Sequence, residues 1–302
     1  MNNVVMPEIK ENICRIRIIS PSGAINPDLI DGATDRLKSW GFEVSEGHFA
    51  REVYGRFAGT EEQRINDLQD AINDQGLTAI LCSRGGYGLA PIIDRIDFSP
   101  LIKHPKWLIG FSDITVIHAA LSCLNIPSLH AVMAKHLSEL PDDSASLQYL
   151  RKILIGEFPE YHIASDKFNR IGNAKGKLVG GNLSVLMGLR GTRFEPEYKG
   201  AVLFLEEIAE EPYHIDRMMQ NLRIGGVFNE ISGLIVGHFT NCTEDPLMQK
   251  SVKEIILDAT AGAGCPVCFG FPAGHEDENY PLIMGRELTL QVTMSGTEIN
   301  FN

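Results

Sequence analysis

The first readable pattern is Ile13-Cys14-Arg15-Ile16-Arg17-Ile18-Ile19, where apolar and basic side chains alternate as a strand requires. Asn26 then stands at a capping position and Pro27 at the first helical one. Leu29, Ile30 and Leu37 recur at helical spacing until Gly41 stops the helix and Phe42-Glu43-Val44 begins a strand. Thr60-Glu61-Glu62-Gln63 reads as a capping box opening a helix through Leu68, Ala71 and Ile72 to about Gly76. Two continuous apolar runs, 77–82 and 107–110, suit strands buried on both faces of a parallel sheet. Each ends in a polar, glycine-bearing turn. The first is Ser83-Arg84-Gly85-Gly86-Tyr87-Gly88; the second, Phe111-Ser112-Asp113, leads into an apolar helix over 114–121. Ligands of open α/β sheets sit outside the carboxyl ends of the strands, so both turns are expected to face one site.

The pattern changes between about Pro141 and Lys175. After a helix near 146–154 come the polar residues Ser165-Asp166-Lys167-Phe168-Asn169-Arg170. We read an N-terminal Rossmann-like α/β domain over 1–158, a linker over 159–174 and a β-rich α/β domain over 175–302. In the second half, strands are expected at 201–205, 231–236, 267–269 and 288–292, and helices at 182–189, 215–222 and 248–259. No internal repeat or low-complexity tract is visible.

Composition narrows the function. Among 302 residues, 44% hydrophobic content suffices for packed cores, and a net charge of −12 argues against nucleic acid or an anionic membrane as partner. There is no apolar run long enough to span a bilayer, and Met1-Asn2-Asn3-Val4-Val5-Met6-Pro7-Glu8 lacks the basic-then-apolar signature of a leader. The expectation is a cytoplasmic chain. Cys14, Cys82 and Cys123 fall in stretches that read as core, so no disulfide framework is indicated. Cys265-Pro266-Val267-Cys268 has the spacing of a redox pair or half a zinc site, but no second pair stands nearby; a strand entry carrying two thiols is the plainer reading.

Four segments could carry chemistry. Ser112 lies between a buried strand and a helix N-terminus, where unpaired amides and the helix dipole would stabilise an oxyanion; Ser112 or Asp113 could equally be an N-cap. The text Gly110-Phe111-Ser112-Asp113-Ile114 lacks the closing glycine of the usual hydrolase elbow. The glycine loop after Ser83 matches neither dinucleotide nor P-loop spacing, and could supply an oxyanion N–H or be a plain turn. Glu206-Glu207 ends an apolar strand and opens a run, with Glu210 and Glu211, that could be a solvated face or could orient a histidine. Gly270-Phe271-Pro272-Ala273-Gly274-His275 puts a histidine on a loop, either idle or a general base. His118 and His130 have ordinary packing explanations.

In order and spacing these segments resemble the LD-carboxypeptidase family of serine peptidases and its microcin-immunity relatives, over nearly the full chain. The carriers are SRGGYG at 83–88, IGFSD at 109–113, VGGNLSVLMGLRGT at 179–192, LFLEEIAEEPYHIDRMMQNLRIGGVF at 203–228, GLIVGHFTNC at 233–242 and GFPAGH at 270–275. The resemblance implies a Ser-His-Glu triad: Ser112 as nucleophile, His275 as general base, and Glu206, the first acid after the strand, as orienting carboxylate. It implies an oxyanion hole from the Asp113 N–H and one from the Gly85-Gly86 turn, here assigned to Gly86. No cofactor or metal is implied, and a homodimer is.

The implied reaction releases D-alanine from muropeptide tetrapeptides in peptidoglycan recycling, cutting after meso-diaminopimelate or L-lysine. A carboxypeptidase must bind a free carboxylate, for which Arg84, beside Gly85, is the candidate. The acidic run Glu276-Asp277-Glu278 departs from the family's usual text and would favour a cationic group on the substrate. The nearest rival is a microcin-immunity-type peptidase cleaving an aminoacyl- or peptidyl-nucleotide amide. Trp40 and Trp107 both lie in the first half, leaving no tryptophan in the second to stack on a base. A binding module that had lost catalysis, and a zinc enzyme using Cys265, Cys268 and His275, are the other readings.

Overall fold

The computed structural model describes Pro7, residues 14–243 and residues 245–301. Apart from Pro7, the stretch read as leaderless and Ile13 of the first expected strand lie outside the described residues. The chain forms two compact units, one of residues 1–158 and 280–285 and one of residues 159–279 and 286–302.

The first unit carries β1 (Arg15–Ile19), β2 (Glu43–Glu46), β3 (Ala79–Cys82), β4 (Trp107–Gly110) and β5 (Ser128–His130) in one sheet. The order β5-β4-β3-β1-β2 is parallel throughout. β3 and β4 are buried at every position, as expected of strands covered on both faces. The expected caps form. Asn26 accepts from the Asp28 amide at the start of the helix Pro27–Ser39, and Thr60 and Gln63 complete a reciprocal capping box before Glu61–Asn73.

The second unit carries β6 (Glu160–Ala164), β7 (Gly172–Asn182), β8 (Val202–Ile208), β9 (Gly233–Thr240) and β10 (Val267–Phe269). The chain then returns to the first unit for β11 (Leu282–Met284), which pairs antiparallel with β5, before closing the second sheet with β12 (Glu287–Val292) and β13 (Gly296–Phe301). That sheet runs β10-β9-β8-β7-β12-β13-β6, its first four strands parallel and the rest antiparallel. The helices Pro212–Ile224 and Val252–Ala259 bury Ile215, Met219, Leu222, Ile255 and Ile256 in one core with Leu203, Leu205 and Leu234.

Three expectations need correction. The stretch 159–174 is not a linker, because β6 pairs with β13 and β7 begins at Gly172. Residues 280–285 belong to the first unit, since the β11–β5 ladder overrides chain order. Cys123, expected in the core, is exposed at the end of the helix Thr115–Cys123. Among the described residues no helix is long and apolar enough to cross a membrane.

One buried histidine ties β4 to β5. His118 Nε2 lies 2.9 Å from the Gly110 carbonyl, so it donates; Nδ1, 2.8 Å away, then accepts from Ser128 Oγ. Burial pushes its pKa down to about 4. The unfolded chain protonates His118 near the ordinary 6.5, so it binds more protons than the folded one and stability falls as pH drops from about 6.5 to about 4. Both tryptophans, Trp40 and Trp107, lie in the first unit, so their fluorescence follows its unfolding in urea. Between pH 7 and pH 5 the wild type is expected to lose about 2 kcal/mol more than His118→Gln. Equal losses in the two proteins would remove His118 as the cause.

Candidate active site

On the first unit the expected turns meet. β3 ends in the glycine loop and β4 in Phe111-Ser112, where Ser112 holds φ at +65°, a conformation that non-glycine residues adopt only under constraint. A short 3-10 turn, Ser112–Ile114, then feeds the helix Thr115–Cys123. The turn therefore forms without the missing glycine, and neither Ser112 nor Asp113 is the N-cap: Phe111 and Ile114 stand at the cap positions, with no side-chain cap bond.

Gly85 lies directly against the serine. A β-carbon there would stand 2.8 Å from Ser112 Cβ, 3.1 Å from its Oγ and 3.2 Å from the Asp113 amide nitrogen. The absent side chain leaves the Ser112 hydroxyl and the Asp113 N–H open towards the glycine turn. Gly86, at φ +102°, takes a left-handed conformation that favours glycine. The loop after β1 clamps this turn, with the Gly23 amide donating to the Gly85 carbonyl at 3.0 Å. Arg84, expected to bind a carboxylate, is exposed and donates through Nη1 to the Ala24 carbonyl at 2.6 Å, which anchors the side chain beside the turn.

The Asp113 side chain has a use that sequence reasoning missed. Its buried carboxylate accepts from Ser22 Oγ at 2.5 Å and from the Leu89 amide at 3.0 Å, joining three loops at the elbow. Burial raises its pKa, and these bonds, with buried Arg64 nearby, oppose the rise. Arg64 itself donates to the carbonyls of Pro21 and Gly88.

On the second unit, Glu206 and His275 come together. β8 does not end at Leu205 as expected but continues to Ile208, and Glu206 and Glu207 are buried, so the solvated-face reading fails for these two and holds for exposed Glu211. The β8–β9 ladder runs Leu205↔Val236 and then Glu207↔Phe239, leaving Glu206 opposite both Gly237 and His238. That irregularity is a bulge of the kind that re-aims side chains. His275 Nδ1 sits 2.8 Å from Glu206 Oε2; because a carboxylate accepts, Nδ1 is the nitrogen that carries the proton in this contact.

The loop carrying His275 is fitted to this pair. The His238 amide donates to the Ala273 carbonyl at 2.8 Å, and the Gly274 amide to Asn279 Oδ1 at 3.1 Å. A β-carbon on Gly237 would lie 2.4 Å from the Ala273 carbonyl oxygen, and one on Gly274 3.2 Å from Glu206 Oε2. Gly237 has no room for a side chain, and Gly274 is tight and held at φ +137°, which favours glycine.

Glu207 points elsewhere. It accepts from Asn182 Nδ2 at 3.0 Å and from the amides of Ser184 at 2.7 Å and Ile208 at 2.8 Å, tying β8 to the helix Leu183–Met187. Burial and the Glu206 charge raise its pKa against those bonds. Of the two adjacent carboxylates, geometry gives the histidine to Glu206.

Cys265 and Cys268 are buried, and burial pushes both thiols up, Cys268 to about 11. Among the described residues no group of three or more histidine, cysteine or acidic side chains could hold a metal. The zinc reading with Cys265, Cys268 and His275 thus finds no site.

Known proteins resemble this chain over most of its length. The LD-carboxypeptidase N-terminal domain matches residues 16–131 and the C-terminal domain residues 175–290. The murein tetrapeptide carboxypeptidase of Pseudomonas aeruginosa is 30% identical over 92% of this chain and 93% of its own. A muramoyltetrapeptide carboxypeptidase from Oxalobacter formigenes, of known structure, superposes with a TM-score of 0.88 at 26% identity, covering 95% of this chain and 98% of that one. The microcin C7 self immunity protein MccF, solved with glutamyl sulfamoyl guanosine, shares the fold at a TM-score of 0.86 and 19% identity over 98% of each chain. The chain belongs to the LD-carboxypeptidase family, and is a hydrolase of its serine-carboxypeptidase type.

Proposed function

We propose that the protein is an LD-carboxypeptidase that releases the terminal D-alanine of muropeptide tetrapeptides by cutting after an L-centred residue. The observation carrying this reading is the bond from His275 Nδ1 to the buried Glu206 carboxylate, which orients a histidine on the loop where the family resemblance puts the general base. The names of the Pseudomonas and Oxalobacter relatives support the substrate class.

In this mechanism His275 Nε2 takes the proton of Ser112 Oγ as the oxygen attacks the scissile carbonyl. Glu206 holds the ring and stabilises the imidazolium that forms. The Asp113 and Gly86 amides receive the oxyanion, each worth about 2.7–4 kcal/mol in the chemical step. The imidazolium protonates the departing D-alanine amine, and water then releases the acyl group from Ser112 with the same base. Arg84 binds the free carboxylate of the D-alanine; Ala24 occupies one of its donors and leaves others for the substrate. The MccF likeness favours a second reading, cleavage of an aminoacyl-nucleotide amide by the same machinery.

Mass spectrometry of the protein with a muropeptide tetrapeptide, the pentapeptide and an aminoacyl sulfamoyl adenosine separates the two. We expect D-alanine from the tetrapeptide alone, lowered at least about 10⁴-fold by Ser112→Ala. Cleavage of the nucleotide amide alone would install the second reading.

Gly85→Ala is expected to displace the serine and cost about 100-fold in kcat with the circular dichroism spectrum intact. Near-normal turnover would show that Gly85 is not needed for the elbow. Arg84→Ala should raise KM for the tetrapeptide acid more than for its C-terminal amide. Equal effects on the two substrates would end the carboxylate role.

A further inference from the structure

Asp113 follows Ser112 directly and is almost wholly buried, yet the mechanism above uses only its backbone. A carboxylate in such a place must be met by donors, and those it takes come from two loops of the first unit. Ser22, after β1, gives its hydroxyl at 2.5 Å; Leu89 gives its amide at 3.0 Å, and the Gly88 amide donates as well. Gly88 and Leu89 end the glycine turn that carries Gly86. One side chain on the serine turn therefore grips the glycine turn through two successive amides.

A buried cation takes what the carboxylate cannot. Arg64, on the helix Glu61–Asn73, donates through Nη1 to the Pro21 carbonyl at 3.2 Å and the Gly88 carbonyl at 2.5 Å. The Phe57 ring covers its guanidinium at 4.9 Å from the ring centre. Gly88 is pressed between these groups: a β-carbon there would stand 2.5 Å from Arg64 Nη1 and 3.1 Å from Ser22 Cα. Across residues 21–22 and 88–89 the anion thus takes N–H and O–H groups and the cation takes carbonyls. The two opposite charges, both out of water, also attract each other.

We propose that the Asp113 carboxylate, backed by Arg64, is a positioning group that sets the spacing of the two oxyanion donors. It fixes the peptide presenting the Asp113 N–H and, through Gly88 and Leu89, the turn presenting the Gly86 N–H. The inference rests on the serine-hydrolase reading above, in which those two amides receive the oxyanion. Such donors act only when already aimed at the place where charge develops, and a displacement of about 1 Å is enough to cost about 100-fold. Asp113 touches neither substrate nor reacting atoms; it acts through the amides it holds. A carboxylate suits this joint because both its oxygens accept, whereas a carboxamide keeps one acceptor and replaces the other with a donor.

Two rates measured on the full-length protein test this: turnover of a muropeptide tetrapeptide, and phosphonylation of Ser112 by a fluorophosphonate, which needs the nucleophile and the oxyanion donors but no muropeptide. Asp113→Ala is expected to lower kcat and the phosphonylation rate together by about 100-fold, with KM changed less than about threefold. Asp113→Asn, which keeps one acceptor, should recover about tenfold of that loss, and Ser22→Ala should cost about tenfold by itself. Circular dichroism and urea unfolding establish which variants are folded. Should Asp113→Ala fail to fold, the Asn and Ser22→Ala proteins carry the same comparison. Folded variants that are phosphonylated at the wild-type rate, or that lose activity through KM alone, would overturn the positioning role and leave the carboxypeptidase reading intact. Wild-type protein that is phosphonylated but releases no D-alanine would overturn the substrate, and the phosphonylation rates would still decide the role of Asp113. Neither reaction in the wild type would overturn both.

Discussion

A carboxylate taken out of water must be hydrogen-bonded or lose its charge, and the second unit buries two of them side by side at 206 and 207. Its answer shapes everything around them. Glu207 is met by one side-chain amide and two backbone amides, which fixes the start of the helix Leu183–Met187 against β8. Glu206 is met by His275, and the bulge opposite it lets the returning loop lie close enough for that bond. Without the His275 ring, Glu206 would lose the hydrogen bond that meets its buried carboxylate. The 270–275 loop and the 206–207 pair are therefore mutually dependent, and Gly237 and Gly274 are small because the two must touch.

The first unit solves a different problem, keeping a serine at positive φ. Local sequence does not favour that conformation, so the neighbourhood imposes it. Buried Asp113 is gripped by Ser22 and the Leu89 amide, Arg64 binds the loops on either side, and Gly85 closes over the top. The strain and the polar burial are supported together, which is how an unfavourable backbone conformation persists in a marginally stable chain.

Much of this was legible in the sequence where local signals act alone. The caps at Asn26 and Thr60, the buried runs that became β3 and β4, and the two polar turns at their ends all follow from spacing and residue type. What escaped was set by long-range pairing. β7 is hard to read because its text, GNAKGKLVGGN, is poor in β-branched residues; its glycines answer to contact, as at Gly180, where a β-carbon would stand 2.0 Å from the Phe204 carbonyl oxygen. β6 looked like a connector because its partner, β13, lies more than a hundred residues away. The burial of Glu206 and Glu207 was hidden for the same reason: four acids in six positions look solvated until the loop bearing His275 covers the first of them.

The ladder between β11 and β5 bears on how the chain is made. A ribosome delivers the first 158 residues long before 282–284 emerge, so the first sheet waits, with the β5 edge uncovered, while almost the whole second unit is synthesised. An open strand edge is a template for the wrong partner, including another nascent copy. The sixth strand of the first sheet is thereby supplied by residues made after most of the second unit, so completion of that sheet is coupled to synthesis of the chain up to residue 284.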